Sequence, residues 1–257
     1  MTTDLQQAEN YLGSIDLSGT PRGLVHQSAE SEASEVFDKA KAQAQIVGSG
    51  LLTFCEGVEA ETREAISDSA LLAQLVANKR ADPAADPLRW FTEYSGVLQN
   101  VGWTLQEGSW DDYSATGTAA DVSEKIIELL PVVLGPAAAA LTIVTTAVSA
   151  LRAMNPSSSW ITIFSRETQK AKLARFQVGL VEGDARQVQV SLLACLIEAQ
   201  KTITQVLFFR FKAERASFRA CTNKVTLNPQ ALKDLAQPIR AKVRAYQLDY
   251  LSSIKDI

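Results

Sequence analysis

The chain has a single histidine, His26, and three cysteines, Cys55, Cys195 and Cys221, among 257 residues. One histidine leaves no His-based metal site and argues against a Ser-His-Asp or Cys-His catalytic group. Three cysteines cannot make a disulfide framework. A GxSxG elbow, an HExxH helix, a P-loop and paired CxxC motifs are all missing. Gly48-Ser49-Gly50 lacks the third glycine of a dinucleotide fingerprint. The polar, acidic start Met1-Thr2-Thr3-Asp4 has no basic patch followed by an apolar run, and neither end carries a lipidation motif. The expectation is a chain made in the cytoplasm which, if it acts elsewhere, leaves without a cleaved signal peptide. Nor is there an excess of one charge: 25 Lys and Arg stand against 29 Asp and Glu, so nucleic acid is not an expected partner.

The modest net charge conceals an asymmetry. Residues 1–151 hold 8 Lys/Arg against 21 Asp/Glu, a net of −13, whereas residues 152–257 carry a net of +9. Two readings follow. An acidic half packs on a basic half, or the basic half presents Arg210, Lys212, Arg219, Arg240 and Arg244 to an anionic membrane. With 46% apolar and 21% charged residues, the composition is globular and excludes a disordered chain or a coiled coil.

Residues 1–27 are polar, with turn formers at Gly13, Gly19-Thr20-Pro21 and Gly23, and suggest an arm over the body. Val36, Ala40, Ala44 and Val47, then Leu71, Leu72, Leu75 and Val76, recur at helical spacing, so residues 28–80 read as helix that Gly48-Ser49-Gly50 interrupts. Asp86-Pro87 pairs a capping residue with a first-turn proline and starts another helix, which Gly102 stops. A short strand follows at Trp103–Gln106. From residue 156 the texture changes: Phe176, Val178 and Leu180 alternate with Arg175 and Gln177, Glu182-Gly183-Asp184 signals a turn, and extended runs follow at 188–196, 203–212 and 218–227. Asn228-Pro229 then opens a helix whose Leu232, Leu235, Ile239, Val243, Tyr246 and Tyr250 keep one face, with Pro238 inside it. The expected fold is α+β: a helical region over 28–155, then an antiparallel four-stranded meander and an amphipathic C-terminal helix packed on the sheet over 156–257, forming one unit.

Residues 129–151, LLPVVLGPAAAALTIVTTAVSAL, carry no charge over 23 positions. The length suffices for a membrane span. Pro131, Gly135, Pro136, the alanine run and four Thr/Ser residues argue against a permanent one. The alternatives are a helix over 137–153 enclosed in the fold, or a stored segment that partitions into lipid through Leu129, Val132, Val133, Leu134, Leu141, Ile143 and Val144. Among the cysteines, Cys55 reads as a buried thiol within the first helical block. Cys221, near Arg219 and Lys224, reads as the more reactive one, since cations favour thiolate. Cys195, between Leu193 and Ile197, is the better place to bury an acyl chain. The adjacent Asp111-Asp112 is the best acidic pair, for which a solvated turn is the ordinary reading.

The text Arg175-Phe176-Gln177-Val178-Gly179, then Val206-Leu207-Phe208-Phe209-Arg210-Phe211, then Val225-Thr226-Leu227-Asn228 resembles a group of bacterial and fungal proteins that includes the Evf-type virulence factors. That resemblance implies a soluble α/β protein with a thioester-linked palmitoyl group on one cysteine, and it assigns the group to neither Cys195 nor Cys221. The function expected is non-enzymatic association with lipid or an anionic membrane, of a virulence or toxin-like kind, with a covalent fatty acyl group and no metal or other cofactor. A cysteine-dependent acyl-transfer enzyme and a cytosolic binding module are the alternatives.

Overall fold

A computed structural model describes residues 2–20, 43–106, 108–113, 128–131, 142–146, 168–170, 173–199, 203–205, 210–211 and 216–253. Its centre is β7 (Val188–Ala199), flanked by β6 (Leu173–Gly183) and β10 (Ala216–Leu227), both antiparallel to it. The unbroken apolar run Leu192-Leu193-Ala194-Cys195-Leu196-Ile197 suits a strand buried on both faces, where alternation would place polar groups out of water. Beyond β6 lies a hairpin of β1 (Gln43–Val47) and β2 (Gly50–Phe54), and β2 pairs with β6 in parallel. Beyond β10 come β3 (Trp103–Leu105) and β4 (Trp110–Tyr113), while the short β5 (Gln169–Lys170) pairs with β6. Among the described residues the result is an eight-stranded mixed sheet in place of the expected four-stranded meander.

Among the described residues four long helices share a core with one face of this sheet: α1 (Thr2–Ser14), α2 (Ala60–Arg80), α3 (Pro87–Asn100) and the C-terminal α4 (Pro229–Ser253). The α+β class therefore holds, with helices in the first part and an amphipathic helix closing the chain. Leu232, Leu235, Ile239, Val243 and Tyr246 of α4 are all buried, and the helix packs against α2 and α1. Among the described residues α2 is the most enclosed helix, with residues 69–77 buried without a break. Its polar groups there are bonded inward: Ser69 Oγ donates to the Ile66 carbonyl at 2.9 Å.

Three expectations change. The stretch 43–54 is a β-hairpin rather than helix, because Gly48, at φ +53°, supplies the left-handed turn and β2 gains a parallel partner far along the chain. The arm at 1–27 contains α1, docked through Ala8, Leu12 and Ile15; residues 21–27 lie outside the described residues. Of the run 203–212, the described residues form β8 (Ile203–Gln205) and β9 (Arg210–Phe211), which pair with each other in a separate two-stranded sheet.

The charge asymmetry is used between the two halves. Lys233 meets Glu59 at 2.8 Å and Glu61 at 3.6 Å, and Arg240 meets Glu64 at 2.6 Å and Asp68 at 3.1 Å, so α4 is tied to α2. Lys242 Nζ donates to the Ile15 carbonyl at 2.6 Å, placing a cation at the C-terminal end of α1 where the helix dipole favours it. Burial raises the Asp68 pKa despite the opposing hydrogen bond from Arg240. The folded protein thus holds the Asp68 proton more tightly than the unfolded chain does. The cost is present above the raised value and is relieved as pH falls through it towards the ordinary carboxylate range. Asp68→Asn, which keeps an acceptor for Arg240, is expected to change stability at neutral pH by less than about 1 kcal/mol and to remove that acid-side gain. Urea melts at several pH values check it, and a loss above about 2 kcal/mol at pH 7 contradicts it.

Candidate functional site

Strand register settles which face each cysteine occupies. Cys195 lies opposite Phe176 on one side and Ala220 on the other, so all three side chains share the sheet face away from the four helices. Leu51, Val178, Leu193, Ile197 and Phe218 share that face and are buried, as is Cys195 at 0% exposure. Burial alone pushes its thiol pKa well above the ordinary value.

Cys221 points the other way, into the core beneath the helices, at the end bounded by β4. The loop between β3 and β4 covers it. Gly108 N donates to Asn223 Oδ1 at 2.8 Å, and Asn223 Nδ2 donates to Cys221 Sγ at 3.6 Å. Burial raises the Cys221 pKa, the Asn223 hydrogen bond opposes the rise and Asp111 adds to it. The expectation of a cation-activated thiol is therefore corrected. Arg219 turns to Asp112, 2.8 Å away, and Lys224 stands on the opposite sheet face, exposed. Since Cys195 and Cys221 face opposite sides of the sheet, no single site uses both. Cys55 follows β2 instead of sitting in a helix, and burial lifts its pKa to about 11.

Asp111 and Asp112 are neighbours on β4, so their side chains take opposite faces and do not converge. Of the basic candidates, Arg219 and Arg240 are committed to ion pairs, while Arg244 is exposed. Arg210 lies on β9; its side chain, with Lys212, is outside the described residues. Of the uncharged run, Leu129, Leu130 and Val144 are buried and Ile143 is half-buried. Val132, Val133, Leu134 and Leu141 lie outside the described residues, as does most of the helix expected over 137–153. Residues 142–146 are helical with Thr142 and Thr146 exposed opposite Val144, so this turn has a wet face instead of being enclosed all round. Thr145 Oγ1 donates to the Thr142 carbonyl at 3.1 Å, which satisfies the hydroxyl within the helix itself.

A buried polar group went unnoticed in the sequence. Arg175 and Gln177 alternate with apolar residues and read as the solvated side of a strand, yet both are buried under the helix layer at 4% exposure. The Arg175 guanidinium lies 3.6 Å from the centre of the Trp90 ring, and its Nη1 donates to Ser49 Oγ at 3.2 Å. Ser49 in turn donates from N and Oγ to Gln74 Oε1, at 2.9 and 3.0 Å, and Gln74 Nε2 donates to the Val47 carbonyl. This chain of bonds ties the hairpin turn to α2, α3 and β6. The two-residue spacing of Arg175 and Gln177 is the only local signal, and a wet strand produces the same one.

Among the described residues no group of His, Cys, Asp and Glu is placed to hold a metal ion, and no helix is long and apolar enough to cross a membrane. No family model matches the chain, and no curated protein matches it. Solved structures do. A delta-endotoxin aligns at 11% identity with a TM-score of 0.37, over 72% of this chain and 85% of its own. The Evf virulence factor aligns at 12% identity with a TM-score of 0.32, over 96% of this chain and 90% of its own. The activated Cyt2Ba monomer from Bacillus thuringiensis subsp. israelensis aligns at 14% identity with a TM-score of 0.34, over 71% and 98%. One of the aligned proteins is named as an endotoxin and one as a virulence factor.

Proposed function

We propose that the chain is a non-enzymatic, lipid-associating protein whose uncharged run 129–151 moves from shelter in the fold into a membrane interface. The observation that carries this reading is the turn 142–146. It has an apolar side at Val144, no charge, and a threonine hydroxyl already bonded to its own helix. The Thr145 hydroxyl keeps its bond when the turn leaves water, and a charge-free flank removes the largest penalty of entering lipid. The wet threonine side and dry valine side suit a helix lying in the interface better than one spanning the bilayer.

Leu129, Ile143 and Val144 are the described lipid contacts on this reading, and Val132, Val133, Leu134 and Leu141 complete them. Arg244, with Arg210 and Lys212, supplies attraction to anionic headgroups; Arg219 and Arg240 are held by Asp112, Glu64 and Asp68. Cys195 is the place for an acyl chain, because its strand neighbours Phe176 and Ala220 make an apolar wall. One chain binds membranes only marginally, so the protein segment supplies the second signal. A virulence or toxin-like role is part of the same proposal. The acyl-transfer alternative gains no support, since both strand cysteines are buried away from a substrate and burial disfavours the thiolate at each.

Flotation with vesicles of phosphatidylcholine alone, and of phosphatidylcholine with phosphatidylglycerol, tests the proposal, together with the intact mass of protein from its own host. Flotation with the anionic vesicles is expected, along with a mass increase matching a fatty acyl group that hydroxylamine removes. Protein that stays at the bottom of both gradients and carries no added mass overturns it.

A further inference from the structure

Among the described residues the sheet ends at β1, and β1 has a feature that the lipid reading does not use. Gly48-Ser49 forms the turn of the β1–β2 hairpin, so Val47 and Gly50 are the pair that flanks it. The pair flanking a two-residue turn exchanges hydrogen bonds, and the pattern alternates along the ladder. Val47, Gln45 and Gln43 therefore bond inward to β2, and the backbone N–H and C=O of Ala44 and Ile46 point out of the sheet. Among the described residues β1 has no neighbour on that side, Ala44 is exposed and Ile46 is half-buried.

Edges of this kind are normally guarded by lysine, proline, a bulge or an inward charge. Gln43-Ala44-Gln45-Ile46-Val47 has none of these, and its register with β2 runs without a shift. The side chains that would resist a change on the helix side are already anchored, as Gln45 Oε1 accepts from Ser67 at 2.8 Å and Gln43 Oε1 accepts from Arg63 at 2.6 Å.

We infer that β1 is a self-association edge, whose partner is β1 of a second copy of this chain. An antiparallel pair about a two-fold axis at Gln45 sets Ala44 opposite Ile46 of the other copy, and Ile46 opposite its Ala44. Those are the residues whose polar groups point outward, so the two pairs exchange four hydrogen bonds and each copy supplies what the other lacks. A two-fold axis brings every charge near its own image, and β1 carries no charge to repel. The two hairpins then join their sheets into one that is continuous across the dimer.

Sedimentation equilibrium over a range of protein concentrations tests this, alongside amide hydrogen exchange. The wild-type mass is expected to rise from one chain to two and no further, with exchange at Ala44 and Ile46 slowing as concentration increases. Ala44→Lys sets like charges close to the axis, and Ala44→Pro removes an outward donor while sparing the bonds to β2. Both variants are expected to remain at the mass of one chain with unchanged thermal melts. A wild-type protein that stays single up to its solubility limit overturns the inference. So does growth beyond two chains, or variants that pair as well as the wild type.

Discussion

Arg63→Met is expected to cost about 3 kcal/mol or more, because it removes the donors to two backbone carbonyls and an amide oxygen at once and empties a fully buried cation site. Arg63 is completely buried near the start of α2. Its guanidinium is shared out among several acceptors. Nε donates to the Val58 carbonyl at 2.8 Å, Nη2 to the Cys55 carbonyl at 2.9 Å and Nη1 to Gln43 Oε1 at 2.6 Å, with the Phe54 ring 5.7 Å from the guanidinium carbon. One side chain thereby satisfies the connection from β2 to α2 and clamps β1. Methionine fills the space of the stem but donates nothing. Lysine fares little better, since a single ammonium at the end of a flexible stem cannot span acceptors that the planar fork spans. Urea unfolding with an unchanged slope and a lowered midpoint is the expected result, and a loss below about 1 kcal/mol contradicts the assignment.

The second large effect belongs to Gly108. A Cβ there would overlap the Thr222 carbonyl oxygen and stand 2.9 Å from Asn223 Oδ1 and 3.0 Å from Cys221 Sγ. The backbone of the β3–β4 loop lies on β10 at a distance only glycine permits, and this is what seals the Cys221 thiol from water. Gly108→Ala is expected to push the loop off the strand, with a stability loss of about 1–3 kcal/mol. It also breaks the bond from Gly108 N to Asn223 and opens Cys221. Reaction of the native protein with a disulfide reagent then separates the two proteins. In the wild type Cys221 is blocked, and in the variant it reacts at least tenfold faster, as identified by peptide mass. Equal rates would mean that the loop does not control the thiol.

Local chemistry was the part of this fold most open to reading. Asp86 Oδ1 accepts from Arg89 N at 3.1 Å, ahead of Pro87, and Asn228 Oδ1 accepts from Gln230 N at 3.0 Å, ahead of α4. Gly102 ends α3 at φ +92°, and Asp184 Oδ1 accepts from Arg186 N at 2.8 Å in the β6–β7 turn. Each is a signal confined to a few residues. The hairpin at 43–54 was not open to reading in this way, since Val36, Ala40, Ala44 and Val47 fit a helix equally well and the contact that decides against it, β2 with β6, joins residues far apart in the chain. The same holds for Arg175, whose apolar neighbours suggest a wet opposite face until Trp90 covers it. Cys221 is the clearest case for the candidate site. Its sequence neighbours are cationic, but its environment is made by Gly108, Asn223 and Asp111.

The lipid proposal is tested most directly by a single reporter in the uncharged run. Ile143 is half-buried on the helical turn 142–146, next to the buried Val144. In a Cys55→Ser background, with Cys195 and Cys221 enclosed, Ile143→Cys takes one environment-sensitive fluorophore. Mixed with phosphatidylglycerol-containing vesicles, the label is predicted to shift to the blue and to be quenched by a quencher placed high on the acyl chains. A label whose spectrum stays as it was in buffer, on protein that those vesicles carry to the top of a gradient, would show that the run is not what touches lipid.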